Sequence, residues 1–259
     1  MARVAERTRR GKHIAVAGKG GTGKTTLAAL LIRCLLEAGR GPILAVDADP
    51  NANLGEVLGL DDGLTIAALL EETKDPAAIP AGMSRDAFIE YRLNAARVES
   101  TGVDLLVMGG PEGPGCYCYP NDLLRKHMES LCSGYRYLVM DNEAGLEHLS
   151  RRVARDVDVF IVTSDATVRG VRSAGRIAAL ARSLKLDVGE VHLVLCRAGE
   201  DEAQALQPEV ARTGLDLGGV VPADAAVAAF DLQGKPLSGL PGSSPALLAV
   251  RGIVTRLLI

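Results

Sequence analysis

The chain predicts a doubly wound α/β fold, a mostly parallel β-sheet with helices on both faces. Short apolar runs alternate with helical stretches from His13 to the C-terminus, the order that a parallel sheet with crossover helices requires. Apolar residues make up 47% of the 259 positions but aromatics only 3%, so Ala, Val, Leu and Ile must build the core, as in strands buried on both faces. The third observation is the glycine-rich string Gly18-Lys19-Gly20-Gly21-Thr22-Gly23-Lys24-Thr25, which fits G-x-x-x-x-G-K-[ST] between a strand and a helix. Sheets of this kind take ligands at the carboxyl ends of their strands, and the string stands at the end of the first.

That string reads as a phosphate cradle. Glycines let the backbone turn tightly and aim its N–H groups inward at a helix N-terminus, which makes a nest for anions. The candidate nucleotide-binding residues are Gly20, Gly21, Thr22, Gly23, Lys24, Thr25 and Thr26. Lys24 would reach the β- and γ-phosphates, and the Thr25 hydroxyl would sit on Mg²⁺. Residues 13–17 supply the strand before it and 25–38 the helix after it, with an apolar face at Leu27, Leu30, Leu31, Cys34 and Leu35. Gly41-Pro42 then breaks the chain. A second strand, 43–47, ends in Asp47-Ala48-Asp49-Pro50-Asn51, which puts both aspartates at the ligand edge. The same D-x-D-P pattern also serves as a plain cap and turn.

Residues 54–83 read as an insertion of short helices, 54–60 and 64–72, closed by Pro76 and Pro80. The run 88–93 suits either a helix or an edge strand. Residues 104–108 form the next strand, which runs into a Gly/Pro-rich loop, 109–120, carrying Cys116 and Cys118. In extended backbone, positions i and i+2 face the same side, so both thiols would address one target. Two thiolates do not close a structural site, whereas a symmetric dimer brings two pairs together. Such a set suits Zn²⁺, Cu(I), Fe–S or square-planar Ni²⁺. Buried small apolar residues or a redox pair are the alternatives.

A helix over 121–131 follows, with Leu124, Met128 and Leu131 inward; His127 reads as a surface histidine, or as a group supporting the thiols. The strand 137–140 ends at Asp141, where an acid holds Mg²⁺ through water, and Gly145 frees the backbone to swing toward the γ-phosphate. Further strands are expected at 157–162, 191–195 and 217–221. A helix over 168–184 carries Arg169, Arg172 and Arg176 as a solvated face or dimer contact. The closing helix, which packs Leu247, Val250, Val254, Leu257 and Leu258 on the sheet, runs to Ile259.

The formal net charge of −3, with both signs interspersed, offers no basic excess for nucleic acid. No run reaches membrane-spanning length, and residues 1–12 lack the apolar segment of a signal peptide. They read as a disordered basic leader ahead of a single domain, 13–259, in a cytoplasmic protein. Five cysteines, two of them in a C-x-C, favour thiol or metal chemistry over a structural disulfide.

KGGTGKTT resembles the deviant Walker A box of the MinD/ParA ATPases, the nitrogenase iron proteins and their metallochaperone relatives. Together with DADPNANL, GCYC and DNEAGLEHLSR it is similar to the CooC-type ATPases, nickel-insertion factors for carbon monoxide dehydrogenase, from Lys12 to about Pro236. This resemblance implies a homodimer in which Lys19 reaches across to the partner's phosphates. It implies that Asp49 orients the attacking water, that Asp47 and Asp141 organise Mg²⁺, and that ATP is turned over to ADP. It further implies that Cys116 and Cys118 bind Ni²⁺ or Zn²⁺ between subunits, for a client nickel enzyme. A MinD/ParA-like positioning ATPase and an iron–sulfur carrier or electron donor are the alternatives. Two departures stand out. Cys196-Arg197 occupies the place of the family's adenine-reading asparagine, leaving backbone groups near Pro222 to select the base or selectivity relaxed. His148 stands where the iron proteins carry their second cluster cysteine.

Overall fold

The apolar runs assemble as seven strands, each short enough to be covered by one crossover helix. The computed structural model describes residues 11–61, 63–109, 126–143, 156–183 and 187–259. The strands are β1 (Lys12–Gly18), β2 (Ile43–Ala48), β3 (Val103–Val107), β4 (Tyr137–Asn142), β5 (Asp156–Ser164), β6 (Asp187–Cys196) and β7 (Asp216–Val221). They lie in the order β3-β2-β4-β1-β5-β6-β7, and every neighbouring pair is parallel. The doubly wound sheet is therefore as expected. Helices α1 (Lys24–Glu37), α2 (Leu54–Leu58), α3 (Ile66–Glu72), α4 (Arg85–Ala96), α5 (Val168–Ser183), α6 (Glu200–Thr213), α7 (Ala225–Leu232) and α8 (Pro245–Leu257) connect them.

Because side chains alternate across a strand, the sheet has two cores. Ile14, Val16, Val139 and Ile161 face α1 and α8, where Leu30, Leu31, Val250 and Val254 meet them. Ala15, Leu138, Phe160 and Leu193 face the other way, against Leu69 of α3, Ile89 of α4, Ile177 of α5 and Leu206 of α6. β1 lies in the interior of the sheet, between β4 and β5, so the loop that follows it opens where the winding reverses.

The ambiguous run 88–93 lies inside α4. The Ser84 side chain caps that helix by accepting from Ala87 N at 3.1 Å, and Phe88, Ile89, Leu93 and Ala96 are its buried face. Residues 126–132 are helical with Met128 buried; the rest of the helix expected at 121–131 lies outside the described residues, as do residues 1–10 of the leader expected at 1–12 and most of the loop 109–120, whereas Lys12, placed in that leader, is the first residue of β1.

Two expectations need correction. His127 is no surface histidine: it is 7% exposed, and its Nε2 lies 3.0 Å from Asp86 Oδ1 on α4. The helix packs against α4, so an imidazole on that side is enclosed with a carboxylate partner. The arginines of α5 are exposed, but Arg172 is not simply solvated. Its Nε donates to Glu209 Oε1 at 2.8 Å and its Nη2 to Oε2 at 3.3 Å, a two-pronged clamp between α5 and α6.

Candidate functional site: a phosphate loop, a buried acid and a cavity between two helices

β1 delivers the chain into the loop 18–25, and α1 begins at Lys24 with Gly23 as its N-cap residue at φ +90°. An L side chain rarely tolerates that backbone, so glycine is required there to turn the amides toward the helix axis. No acidic residue occupies the first turn of α1, so nothing competes with an anion for that N-terminus. Thr22 is buried, and its Oγ1 both donates to Lys19 O at 2.7 Å and lies 2.7 Å from Thr163 Oγ1 on β5. The hydroxyl pair ties the loop to the neighbouring strand, a contact that the motif alone does not reveal. Lys24 is 8% exposed at the start of α1, whereas Lys19 is exposed to solvent.

The acids come from two adjacent strands, with Asp47 of β2 in register with Asp141 of β4. Asp141 Oδ2 accepts from Thr25 Oγ1 at 2.5 Å, while its Oδ1 is buried without a hydrogen-bond partner. Burial pushes the Asp141 carboxyl up to about 7; Asp47 and Asp49 add to the rise, and Thr25 and Lys24 oppose it. An orphaned buried carboxylate oxygen beside a threonine hydroxyl fits a hard divalent cation such as Mg²⁺. That ion takes one or two protein oxygens and completes its shell with phosphates and water. Consistent with so sparse a set, no cluster of three or more His, Cys, Asp or Glu able to hold a metal exists among the described residues.

Asp47 is fully buried, and both of its oxygens accept backbone N–H groups, from Asp49 at 3.1 Å and Leu54 at 2.7 Å. It shapes the turn that presents Asp49. Asp49 is half-buried, with Oδ1 accepting from Asn51 N at 3.0 Å and Asn51 Nδ2 at 2.8 Å.

Beyond Gly23, a cavity of about 580 Å³ runs between Thr26, Leu27 and Leu30 of α1 and Ala225, Val227 and Ala228 of α7. Pro222 lines it, together with Cys196 and Arg197. Its position and size suit a nucleobase whose phosphates lie in the loop. Sequence reasoning missed how this pocket is braced. Arg197, at φ +54°, sends Nη2 to Gly21 O at 2.7 Å. Asp224 caps two helices at once, accepting from Ala226 N at 2.8 Å and, through its other oxygen, from Ser244 Oγ at 2.5 Å and Ala246 N at 3.1 Å. Burial alone would raise the Asp224 carboxyl, but these donors hold it below its ordinary value. Gly145 and His148, and the cysteine pair Cys116 and Cys118, lie outside the described residues.

Burial makes the described thiols poor nucleophiles. It pushes Cys196 up to about 12, and it pushes Cys34, with help from Glu37, up to about 11. Cys132 is buried as well. Thiols held that far up stay protonated in native protein at about pH 8. We expect a chromogenic disulfide reagent to leave Cys34, Cys132 and Cys196 unmodified over minutes and to reach at most two of the five thiols before denaturant is added. Thiol counting by absorbance checks this.

Strand order, phosphate loop and a buried acid at the tip of the adjacent strand together define a P-loop nucleotide-hydrolysing protein. A family model described as the CobQ/CobB/MinD/ParA nucleotide binding domain matches residues 13–237, and the chain belongs to that family of nucleotide-binding ATPases. It is 40% identical over 248 residues to an uncharacterized ATP-binding protein, MJ0685, of Methanocaldococcus jannaschii, covering 95% of this chain and 98% of the relative. It is 31% identical over 234 residues to the carbon monoxide dehydrogenase accessory protein CooC of Rhodospirillum rubrum, covering 85% and 87%. Among solved structures, the MinD cell division protein of Aquifex aeolicus superposes with a TM-score of 0.68 at 21% identity, covering 95% of this chain and 96% of that one. MinD of Pyrococcus horikoshii, solved with Mg-ADP, gives 0.68 at 22% identity, covering 95% of each. Identities this low speak for the fold alone. No described helix is long and apolar enough to cross a membrane.

Proposed function

We propose that the chain is an Mg-ATP-dependent metallochaperone, a cytoplasmic homodimer that binds Ni²⁺ at Cys116 and Cys118 and assists its insertion into a carbon monoxide dehydrogenase-type enzyme. Zn²⁺ is the alternative cargo. The observation that carries this reading is the 31% identity to CooC across 85% of the chain, combined with a C-x-C between β3 and β4. Two strands that bound the site also bound this segment. β3 ends at Val107, Met108 N donates to Asp47 O at 2.8 Å, and β4 ends at Asp141 and Asn142. A change at the site therefore reaches the upstream end of the cysteine-bearing stretch directly at Met108, and its downstream end only along the length of β4, from Asp141 back to Tyr137.

In this reading Gly20, Gly21, Thr22 and Gly23 present backbone N–H groups to the phosphates, and Lys24 pairs with the β- and γ-oxygens. Thr26 faces the α-phosphate end of the base cavity. Lys19, exposed at the loop's rim, neutralises charge on the partner's nucleotide. Asp49 orients the attacking water. Thr25 and Asp141 would hold Mg²⁺, whose charge offsets that on the β- and γ-phosphates, with Asp47 supporting the turn behind them. A positioning ATPase of the MinD or ParA kind is the second reading. It needs a surface for lipid or DNA, and α8 supplies none for lipid, because Leu247, Val250, Ile253 and Val254 are buried on the sheet.

Metal analysis of protein purified anaerobically tests the proposal. About one Ni²⁺ or Zn²⁺ per dimer is expected in the wild type, lost in Cys116→Ser and in Cys118→Ser. Equal metal content in all three overturns it. A brown, reducible protein would favour the iron–sulfur alternative.

A further inference from the structure

The base cavity has few side chains able to read a base, and most of these are engaged, stand at the phosphate end or donate weakly. Its lining is otherwise apolar: Leu27, Leu30, Val221, Val227 and several alanines. Of the polar side chains, Thr26 stands on the first turn of α1 at the phosphate end. Arg197 is drawn to Gly21 O, and both Asp224 oxygens are taken by the caps of α7 and α8. Cys196 offers only a buried thiol, a weak donor.

Asp231 is the exception. It lines the same cavity from the last turn of α7, six residues beyond Ala225 and so about 9 Å farther along the helix axis. Its side chain is exposed and has no hydrogen-bond or ion-pair partner among the described residues. A carboxylate is an acceptor only, with two oxygens that can accept side by side. Guanine offers two adjacent donors, N1–H and N2–H₂, whereas adenine offers N6–H₂ alone on that edge.

We infer that Asp231 is the side chain that reads the nucleobase, and that the pocket accepts guanine nucleotides as well as adenine ones. An acceptor-only reader cannot reject guanine, and apolar walls discriminate weakly between bases of similar shape. The inference concerns the nucleotide end of the molecule and stands apart from the metal reading.

Displacement of a fluorescent ADP analogue from the full-length chain by ATP, GTP and ITP, at fixed Mg²⁺, tests it. In the wild type, Kd for GTP is expected within about tenfold of that for ATP. ITP, which lacks the N2 amino group, is expected to bind about tenfold more weakly than GTP. In Asp231→Ala the GTP-to-ITP ratio is expected to fall to about one while ATP weakens only a few-fold. Asp231→Asn, which keeps the side chain's shape, is expected to collapse the same ratio. A role confined to the end of α7 would weaken all three nucleotides by one factor and leave the ratio intact. That result, or a wild-type preference for ATP over GTP of about 10³ or more, overturns the inference.

Discussion

Lys24→Ala is expected to lower ATP turnover by about 10³-fold or more, with nucleotide affinity reduced as well. Lys24 sits at the start of α1, 8% exposed, so its ammonium works in a site where little water screens it. The loop amides remain in the variant, but they lose the mobile positive charge that follows the γ-phosphate as negative charge builds on it. Asp49→Ala gives the contrasting result. Its carboxylate is held by Asn51 at the rim and by no group of the phosphate loop. That variant is expected to bind ATP about as well as the wild type and to hydrolyse it about 10²-fold more slowly. Equilibrium binding and steady-state phosphate release separate the two. Normal hydrolysis by Asp49→Ala would remove it from the water-positioning role.

Gly18→Ala is expected to destabilise the protein by about 1–3 kcal/mol and to lower nucleotide affinity in the same variant. A methyl group at Gly18 would lie 2.1 Å from Thr163 Oγ1 and 2.8 Å from both Thr163 O and Thr22 Oγ1. No rotamer relieves a clash with a backbone oxygen, so the loop or β5 must move. Either movement breaks the Thr22–Thr163 pair that seats the loop. Adding Thr163→Ala removes the nearest atom but leaves the carbonyl, so the double variant is expected to recover part of the stability. Thermal or urea unfolding of the two single variants and the double variant measures the coupling.

Much of this architecture was legible in the residues. The strands announce themselves as apolar runs ending in Gly, Pro or Asp, and the phosphate loop combines a fixed spacing with the strand and helix around it. Asp141 was found by position alone, as an acid at the tip of a buried strand. Contacts between distant parts of the chain could not be read in this way. Thr22 and Thr163 are 141 residues apart, and neither belongs to a pattern that names the other. Asp224 joins two helix caps 20 residues apart, and only packing brings them together. His127 looked like a surface residue because nothing nearby in sequence announces Asp86. Arg172 looked solvated for the same reason, as Glu209 lies on the following crossover helix. α6 went unnamed because Pro208 inside it disguises an otherwise amphipathic run. The cysteine pair is the reverse case, since Cys116 and Cys118 stand out in sequence and lie outside the described structure.

Coupling between the triphosphate site and the thiols proposed to bind metal, Cys116 and Cys118, is the central claim. It is measured by titrating anaerobic apoprotein with Ni²⁺ in the presence and absence of Mg-ATP, with Lys24→Ala alongside. The expected result is a Ni²⁺ affinity that changes about tenfold or more with nucleotide in the wild type and stays constant in Lys24→Ala. A wild-type affinity indifferent to nucleotide would contradict it.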